Sequence, residues 1–331
     1  MSKLINLYHL KLNNVNRIFF LLLLFNLSNT TILSQTNSTN IKTIVIDPGH
    51  GGKDSGTLGT KRFKIYEKHV ALAVSLKLGN YISKAFPDVK IIYTRDTDVF
   101  LELNERTEIA NKSNADLFIS IHCDGFTNPK PSGASVFVMG MSKLKANMDV
   151  AMRENSAIYL EDNYQQKYDG FDPKSAESYI VFSLMQNTYL NQSLKIAEEV
   201  ESEFSTRANR KSRGVKQAPF YVISRTNMPS ILIECGFLTN PQEEEFLHSD
   251  LGQDYIASAI FRAFRSYKES VEINDEKLSK DSVKVNSKIT SEINSKLKDI
   301  SLLKKEEVTS NELVFKTQIG TLQFGMNNHQ L

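Results

Sequence analysis

Cysteine is scarce in this chain, with two among 331 residues, too few for a disulfide framework. An excess of one charge is missing as well. Lysine and arginine number 40 against 38 acidic residues, a formal net charge of +2, and no basic stripe runs along the sequence. Nucleic acid is therefore not an expected partner. Nor is there an apolar run of the roughly 20 residues that would span a bilayer. The run Ile18 to Phe25 is much shorter, follows Lys3, Lys11 and Arg17, and gives way to small polar residues through Ser34. That order of basic, apolar and small polar residues is the pattern of a secretory signal, so residues 1–34 are expected to be a signal peptide, with an uncleaved anchor as the alternative. No cysteine follows the apolar run, which argues against a lipid-modified N-terminus. The mature chain is expected to be soluble, without a membrane span, and periplasmic or extracellular.

What is present is a core-forming supply of apolar residues, 40% of the chain, arranged with alternating periods. Ile44-Val45-Ile46 is a short β-branched run ending at Asp47-Pro48-Gly49, the mark of a buried strand followed by a tight turn. Val70, Val74, Leu78, Ile82 and Ala85 recur at helical spacing after Glu67, and Pro87 closes that helix. Val89 to Thr94 reads as a strand, Leu103 to Lys112 as a helix, Asp116 to His122 and Ala134 to Met139 as strands. A helix follows over about Gln186 to Phe204. Phe220 to Ile223 and Ser230 to Glu234 read as the last strands, and Glu243 to Phe246 and Ile256 to Tyr267 as closing helices. Strands alternating with helices predict an α/β fold: a single catalytic domain, residues 41–268, around a mainly parallel sheet. Sites in such sheets form at the carboxyl ends of strands.

Chemistry-bearing residues gather at those ends. His50 lies in IVIDPGHGGKDSG (44–56), Glu67 in YEKHVAL (66–72), His122 in FISIHCDG (118–125) and Glu234 in ILIECGFLTNP (231–241). Two imidazoles and one carboxylate suit a zinc ion that keeps an open position, and a further carboxylate beside it can handle the proton of an attacking water. Glu67 could instead cap its helix, and Glu234 could be a buried structural carboxylate, although such a group needs a partner or a metal. His69 and His248 carry no such pattern and are expected at the surface or in the core. Arg95, Asp96 and Arg106 are expected to organise loops through ion pairs, and Asp124 either touches substrate or holds a loop. Cys123 and Cys235 follow His122 and Glu234. Strand neighbours face opposite ways, so both thiols are expected in the packing, where an oxidising compartment would also admit a disulfide.

The segment from about 141 to 183 is longer than an ordinary connection and carries Leu144, Met148 and Met152 at helical spacing, which marks a helical insertion with a function of its own. After about Ser270 glycine and aromatic residues vanish, and residues 270–312 read as a polar linker or tail. A helical stripe survives at Val285, Ile289, Ile293 and Leu297. Residues 313–331 turn strand-like again.

In order along the chain stand DPGHGG (47–52), an E-K pair opening a helix (67–68), TRDTDVFLELNERTEIAN (94–111), SIH (120–122), RGVKQAPFYV (213–222) and MPSILIECGFLTN (228–240). With this series the chain resembles the zinc-dependent N-acetylmuramoyl-L-alanine amidases of the Amidase_3 family over roughly Ile41 to Tyr267. The resemblance implies a central sheet of about six strands flanked by helices and a Zn2+ ion on His50, Glu67 and His122, with Glu234 as the catalytic carboxylate. The implied reaction is hydrolysis of the amide between N-acetylmuramic acid and L-alanine in peptidoglycan, in cell-wall remodelling and daughter-cell separation. Ser55, the bulky Lys61-Arg62-Phe63 and the residues flanking Asp124 depart from the usual pattern and bear on loop shape and substrate preference. The 141–183 insertion resembles one that, in some members, lies over the zinc until an activator protein relieves it. Glu154, Glu161 and Glu177 are the candidate blocking carboxylates, set against the usual fate of glutamate, which is exposure. A zinc carboxypeptidase or deacetylase, or a non-catalytic wall-binding protein on the same scaffold, stays open from the site residues alone.

Overall fold

The computed structural model describes residues 40–142, 145–175, 177–180, 188–208 and 210–273, together with residue 295. The expected signal peptide, the polar tail beyond residue 273 and the strand-like 313–331 piece lie outside the described residues, residue 295 apart.

Six strands form one sheet: β1 (Thr43–Pro48), β2 (Lys90–Tyr93), β3 (Leu117–Asp124), β4 (Ala134–Met139), β5 (Ser212–Ala218) and β6 (Ser230–Phe237). Their spatial order is β2-β1-β3-β6-β4-β5. All neighbours are parallel except β4 and β6, which run antiparallel. The mainly parallel α/β expectation is met. The central strands β3, β4 and β6 are buried along their whole length, as near-continuous apolar runs in a covered sheet must be.

Each face has its own apolar layer. On one, Ile44, Ile46, Ile119, Ile121, Ile231 and Ile233 pack under helix α1 (Glu67–Ala85) and the long helices described below. On the other, Val45, Phe118, Phe137 and Leu232 meet α2 (Leu103–Lys112) and the insertion. The described part of the insertion is helical: α3 (Lys145–Asn155), a 3-10 turn at Ser156–Leu160, α4 (Tyr164–Lys167) and a second 3-10 turn at Glu177–Tyr179. The chain then continues through α5 (Leu190–Thr206), α6 (Tyr221–Ser224), α7 (Pro241–His248) and a helix α8 over 250–273. Helix α8 runs past residue 270, where the composition change had placed the start of the tail.

The reading of the fifth strand needs correction. Phe220 to Ile223 does not extend; Tyr221–Ser224 is a helical turn, and the strand is the preceding SRGVKQA segment. The reason is position in the sheet. β5 is an edge strand whose residues are mostly half-buried or exposed, so it carries no apolar alternation, whereas Phe220 to Ile223 are buried among α2, β3 and the insertion. Burial on every side gave these four residues a strand-like sequence without a strand.

Both cysteines are free and buried, on the face away from His122 and Glu234.

Candidate active site

The loop after β1 is fixed before any ligand is considered. Asp47 is wholly buried and accepts hydrogen bonds from Thr94 Oγ1 (2.6 Å), Ser120 Oγ (2.8 Å) and Arg106 Nη1 (2.8 Å). Burial alone would raise its pKa, but Arg106 and Thr94 outweigh that and hold it below the usual value. Arg106 also donates to the carbonyls of Pro48 and His50. Arg95 holds the same loop through the carbonyls of Pro48, Gly49, Thr97 and Lys68 rather than through an ion pair. Under this clamp His50 adopts φ 60°, a left-handed backbone that a non-glycine residue keeps only where its surroundings enforce it. Gly49 is required beside it, because a side chain there would run into the His122 ring.

Glu67 opens α1, whose start is capped by His69 Nδ1 accepting from Tyr66 N. The Glu67 carboxylate is then held from both sides by backbone amides: Oε2 accepts from Thr57 N and Oε1 from Cys123 N, each at 2.8 Å. His50 Nδ1 lies 2.7 Å from Asp54 Oδ2, which turns Nε2 inward. The sequence signal for Asp54 is its place as a carboxylate four residues after a candidate ligand in one loop. His122 comes from near the carboxyl end of β3 and directs Nδ1 to the same point. Glu67 Oε1 is 3.0 Å from His50 Nε2 and 3.2 Å from His122 Nδ1.

A fourth group completes the cluster. Glu154, from helix α3 of the insertion, places Oε2 3.1 Å from His50 Nε2 and 3.2 Å from His122 Nδ1. One donor atom from each of His50, Glu67, His122 and Glu154 falls within 4.8 Å of the others, and all four residues are buried. Of the three carboxylates singled out in the insertion, Glu154 alone reaches the site. Glu161 is buried but serves Tyr168 Oη and Leu103 N, and Glu177 is exposed.

The donor set fits a metal ion. Burial should discourage charge on the imidazoles, yet Glu67, Asp54 and Glu154 outweigh it at His50 and push its pKa well above the ordinary value. His122 is raised likewise, burial being overcome by Glu154 and Glu67. At Glu67 burial is overridden by the His50 charge, and the pKa falls to about 2. Two buried carboxylates and two imidazoles thus call for positive charge at one point, which a divalent cation suits.

Glu234 stands in register with His122 on the neighbouring strand. It is buried, and neither carboxylate oxygen has a hydrogen-bond partner among the described residues. Burial, then Asp124 and Glu154, push its pKa well above the usual range. A carboxyl placed this way beside the cluster is a candidate to exchange a proton with a water bound there. Its nearest cation is Arg153, with Nη2 3.6 Å from Glu234 Oε1, 2.9 Å from Asp124 Oδ1 and 2.9 Å from Glu154 Oε1. Nothing in the sequence pattern singled out Arg153, and its neighbour in the chain is the only clue to its place. His69 and His248 stay outside the cluster, the first capping α1 and the second packed at a tilt against Phe63 with ring centroids 4.7 Å apart.

A family model described as N-acetylmuramoyl-L-alanine amidase, Amidase_3, matches residues 44–266. The chain is 37% identical over 229 residues to N-acetylmuramoyl-L-alanine amidase AmiA of Escherichia coli K12, spanning 68% of this chain and 76% of AmiA. The crystal structure of N-acetylmuramoyl-L-alanine amidase from Clostridium difficile 630 superposes with a TM-score of 0.53 at 29% identity, covering 70% of this chain and 98% of that one. The CwlD amidase of Clostridioides difficile, solved in complex with the GerS lipoprotein, gives 0.52 at 26% identity, covering 69% and 99%.

Proposed function

We propose, from the premise that this chain belongs to the Amidase_3 family of N-acetylmuramoyl-L-alanine amidases, that it is a zinc enzyme whose catalytic carboxylate is Glu234 and whose insertion holds it closed. Its substrate is the amide between N-acetylmuramic acid and L-alanine in peptidoglycan. The observation that carries this reading is the convergence of His50, Glu67 and His122 beside a buried carboxyl that has no hydrogen-bond partner among the described residues. These three residues would hold the zinc, with His50 oriented by Asp54.

When bound, zinc lowers the pKa of a coordinated water toward about 7 and polarises the scissile carbonyl. Glu234 then accepts the proton of the attacking water and returns it to the alanine amine as that leaves. Asp47, Arg106 and Arg95 keep the His50 loop rigid.

Glu154 supports a resting state closed from within. Its carboxylate would act as a further donor to a metal held there and so compete with water or substrate, and burial notwithstanding, Arg153 and the two imidazoles hold its pKa well below the usual value. Helix α3 is anchored by Asn155, which donates to Tyr179 Oη and the Pro219 carbonyl and accepts from Tyr221 N. A partner protein that lifts this segment would open the site; that CwlD was solved with GerS is in keeping with family members having protein partners. The signal-like N-terminus supports export to the periplasm or beyond, where the enzyme would act in cell-wall remodelling and daughter-cell separation.

The test is metal content and product analysis on purified peptidoglycan. Glu234→Gln should bind zinc as the parent does and release no peptide, and His50→Ala should lose both zinc and turnover. The products should be stem peptides with a free N-terminal L-alanine. Near-normal turnover by Glu234→Gln, or products cleaved at another bond, would refute the assignment.

A further inference from the structure

Two basic side chains of strand β5, on the sheet face that carries Glu234, have no acidic partner among the described residues. Along β4 and β5 the register runs Ala134↔Ser212 and then Val136↔Val215, so three residues of β5 stand against two of β4. The extra residue is accommodated at Gly214, whose φ of 78° is the bulge conformation that favours glycine. On an unbulged strand, residues three apart face opposite ways. The bulge reverses this, and Arg213 and Lys216 come to the same face.

That face is the one that carries the site. Lys216 stands in register with Phe137, Phe137 with Leu232, and Ser135 with Glu234. Lys216 Nζ donates to Ser135 Oγ at 2.8 Å and lies 5.3 Å from the centre of the Phe137 ring. Arg213 lies over Phe237, which stands in register with Asp124. No carboxylate among the described residues lies within 4.0 Å of either cation, although most of the basic groups near the site have one. Burial, then Arg213, lower the pKa of Lys216, only partly offset by the more distant Asp124 and Glu234 carboxylates.

We infer that Arg213 and Lys216 form a carboxylate-binding subsite for the stem peptide, next to the residue that cleaves it. The inference rests on the amidase reading above. The sheet sets the reach. β5 lies two strand spacings, about 10 Å, from β6, and an extended peptide advances about 3.5 Å per residue. A carboxylate within the first three residues of the peptide therefore arrives at the pair once L-alanine lies at Glu234. Two sources meet that description: the free α-carboxylate of a side-chain-linked glutamate in second place, and the C-terminal carboxylate of a tripeptide. Ser135 and the Phe137 ring hold Lys216 in place, and Arg213 supplies a planar fork suited to a carboxylate.

Direct binding of tripeptides tests this without relying on hydrolysis. L-alanyl-γ-D-glutamyl-L-lysine, its glutamate α-amide and its C-terminal amide are titrated by calorimetry into the full-length chain carrying Glu154→Ala, so that the insertion does not occlude the cleft. Amidating the recognised carboxylate should weaken binding roughly tenfold or more, the loss of a charge-assisted contact, and which amide shows the loss identifies the source. Arg213→Gln with Lys216→Met should remove the preference while leaving affinity for the weak amide unchanged. Equal affinity for all three peptides, a preference that survives in the double variant, or no binding of any peptide would overturn the subsite. Release of peptides from peptidoglycan by the same preparation reports separately on the amidase reading, so the two can fail independently.

Discussion

At the scale of single residues, the site is organised by buried charges that satisfy one another. Asp47 is the clearest case, since Arg106 both neutralises it and ties down the carbonyls on either side of Gly49. Arg106→Met leaves that carboxylate buried and unpaired and should cost about 3–5 kcal/mol of stability, measured by denaturant unfolding. The pH dependence follows from the direction of the shift. The folded pKa of Asp47 is depressed, so its stabilising contribution is complete above the unfolded value near 3.9 and is lost as pH falls through the lower folded value. Acid unfolding should steepen below about pH 4, and Asp47→Asn should flatten that limb; an unchanged acid profile would show that the pair contributes little. Gly49→Ala should weaken zinc binding with little change in fold, read by metal content and circular dichroism, because the added methyl displaces the His122 ring.

At the scale of elements, legibility followed burial. β1, α1, α2, β3, β4 and β6 stood out in the sequence because each is a buried run or a regular stripe, and His50, Glu67, His122 and Glu234 could be read from their places at strand ends and a helix start. β5 was missed because an edge strand with Arg213, Lys216 and Gln217 has no apolar alternation, and Phe220 to Ile223 was misread because a buried helical turn offers the same four apolar residues as a strand. Glu154 could be shortlisted by its position in an amphipathic insertion, but nothing local separates it from Glu161 and Glu177. Only the docking of α3 through Asn155 and Ala151, and of the turn after it through Ile158 in the apolar layer, selects it. The anchor gives a prediction at this scale. Asn155→Ala removes three hydrogen bonds from the lid and leaves Glu154 intact, so it should raise basal peptide release and shorten amide protection along α3 in hydrogen exchange, while protection along β3 and β6 stays as it was. Unchanged protection of α3 would mean that the lid is held elsewhere.

At the scale of the whole molecule, the sheet divides labour between its faces. One face packs against α1, α5 and α8 and holds both free thiols; the other presents His122, Asp124, Glu234 and the basic pair to the insertion. No helix among the described residues is long and apolar enough to cross a membrane. In this arrangement one segment brings two charged groups to the site: Glu154 Oε2 converges with the histidines, and its neighbour Arg153 pairs with Asp124 and lies against Glu234. The most direct measurement is the rate at which the zinc-loaded, full-length protein releases stem peptides from peptidoglycan, beside Glu154→Ala and Glu154→Ala combined with Glu234→Gln. Losing the contacts of one charged group should raise the rate roughly 10- to 100-fold in the first variant, and the second should be silent with its zinc retained. A Glu154→Ala protein no faster than the parent, or a double variant that still cleaves, would contradict the account.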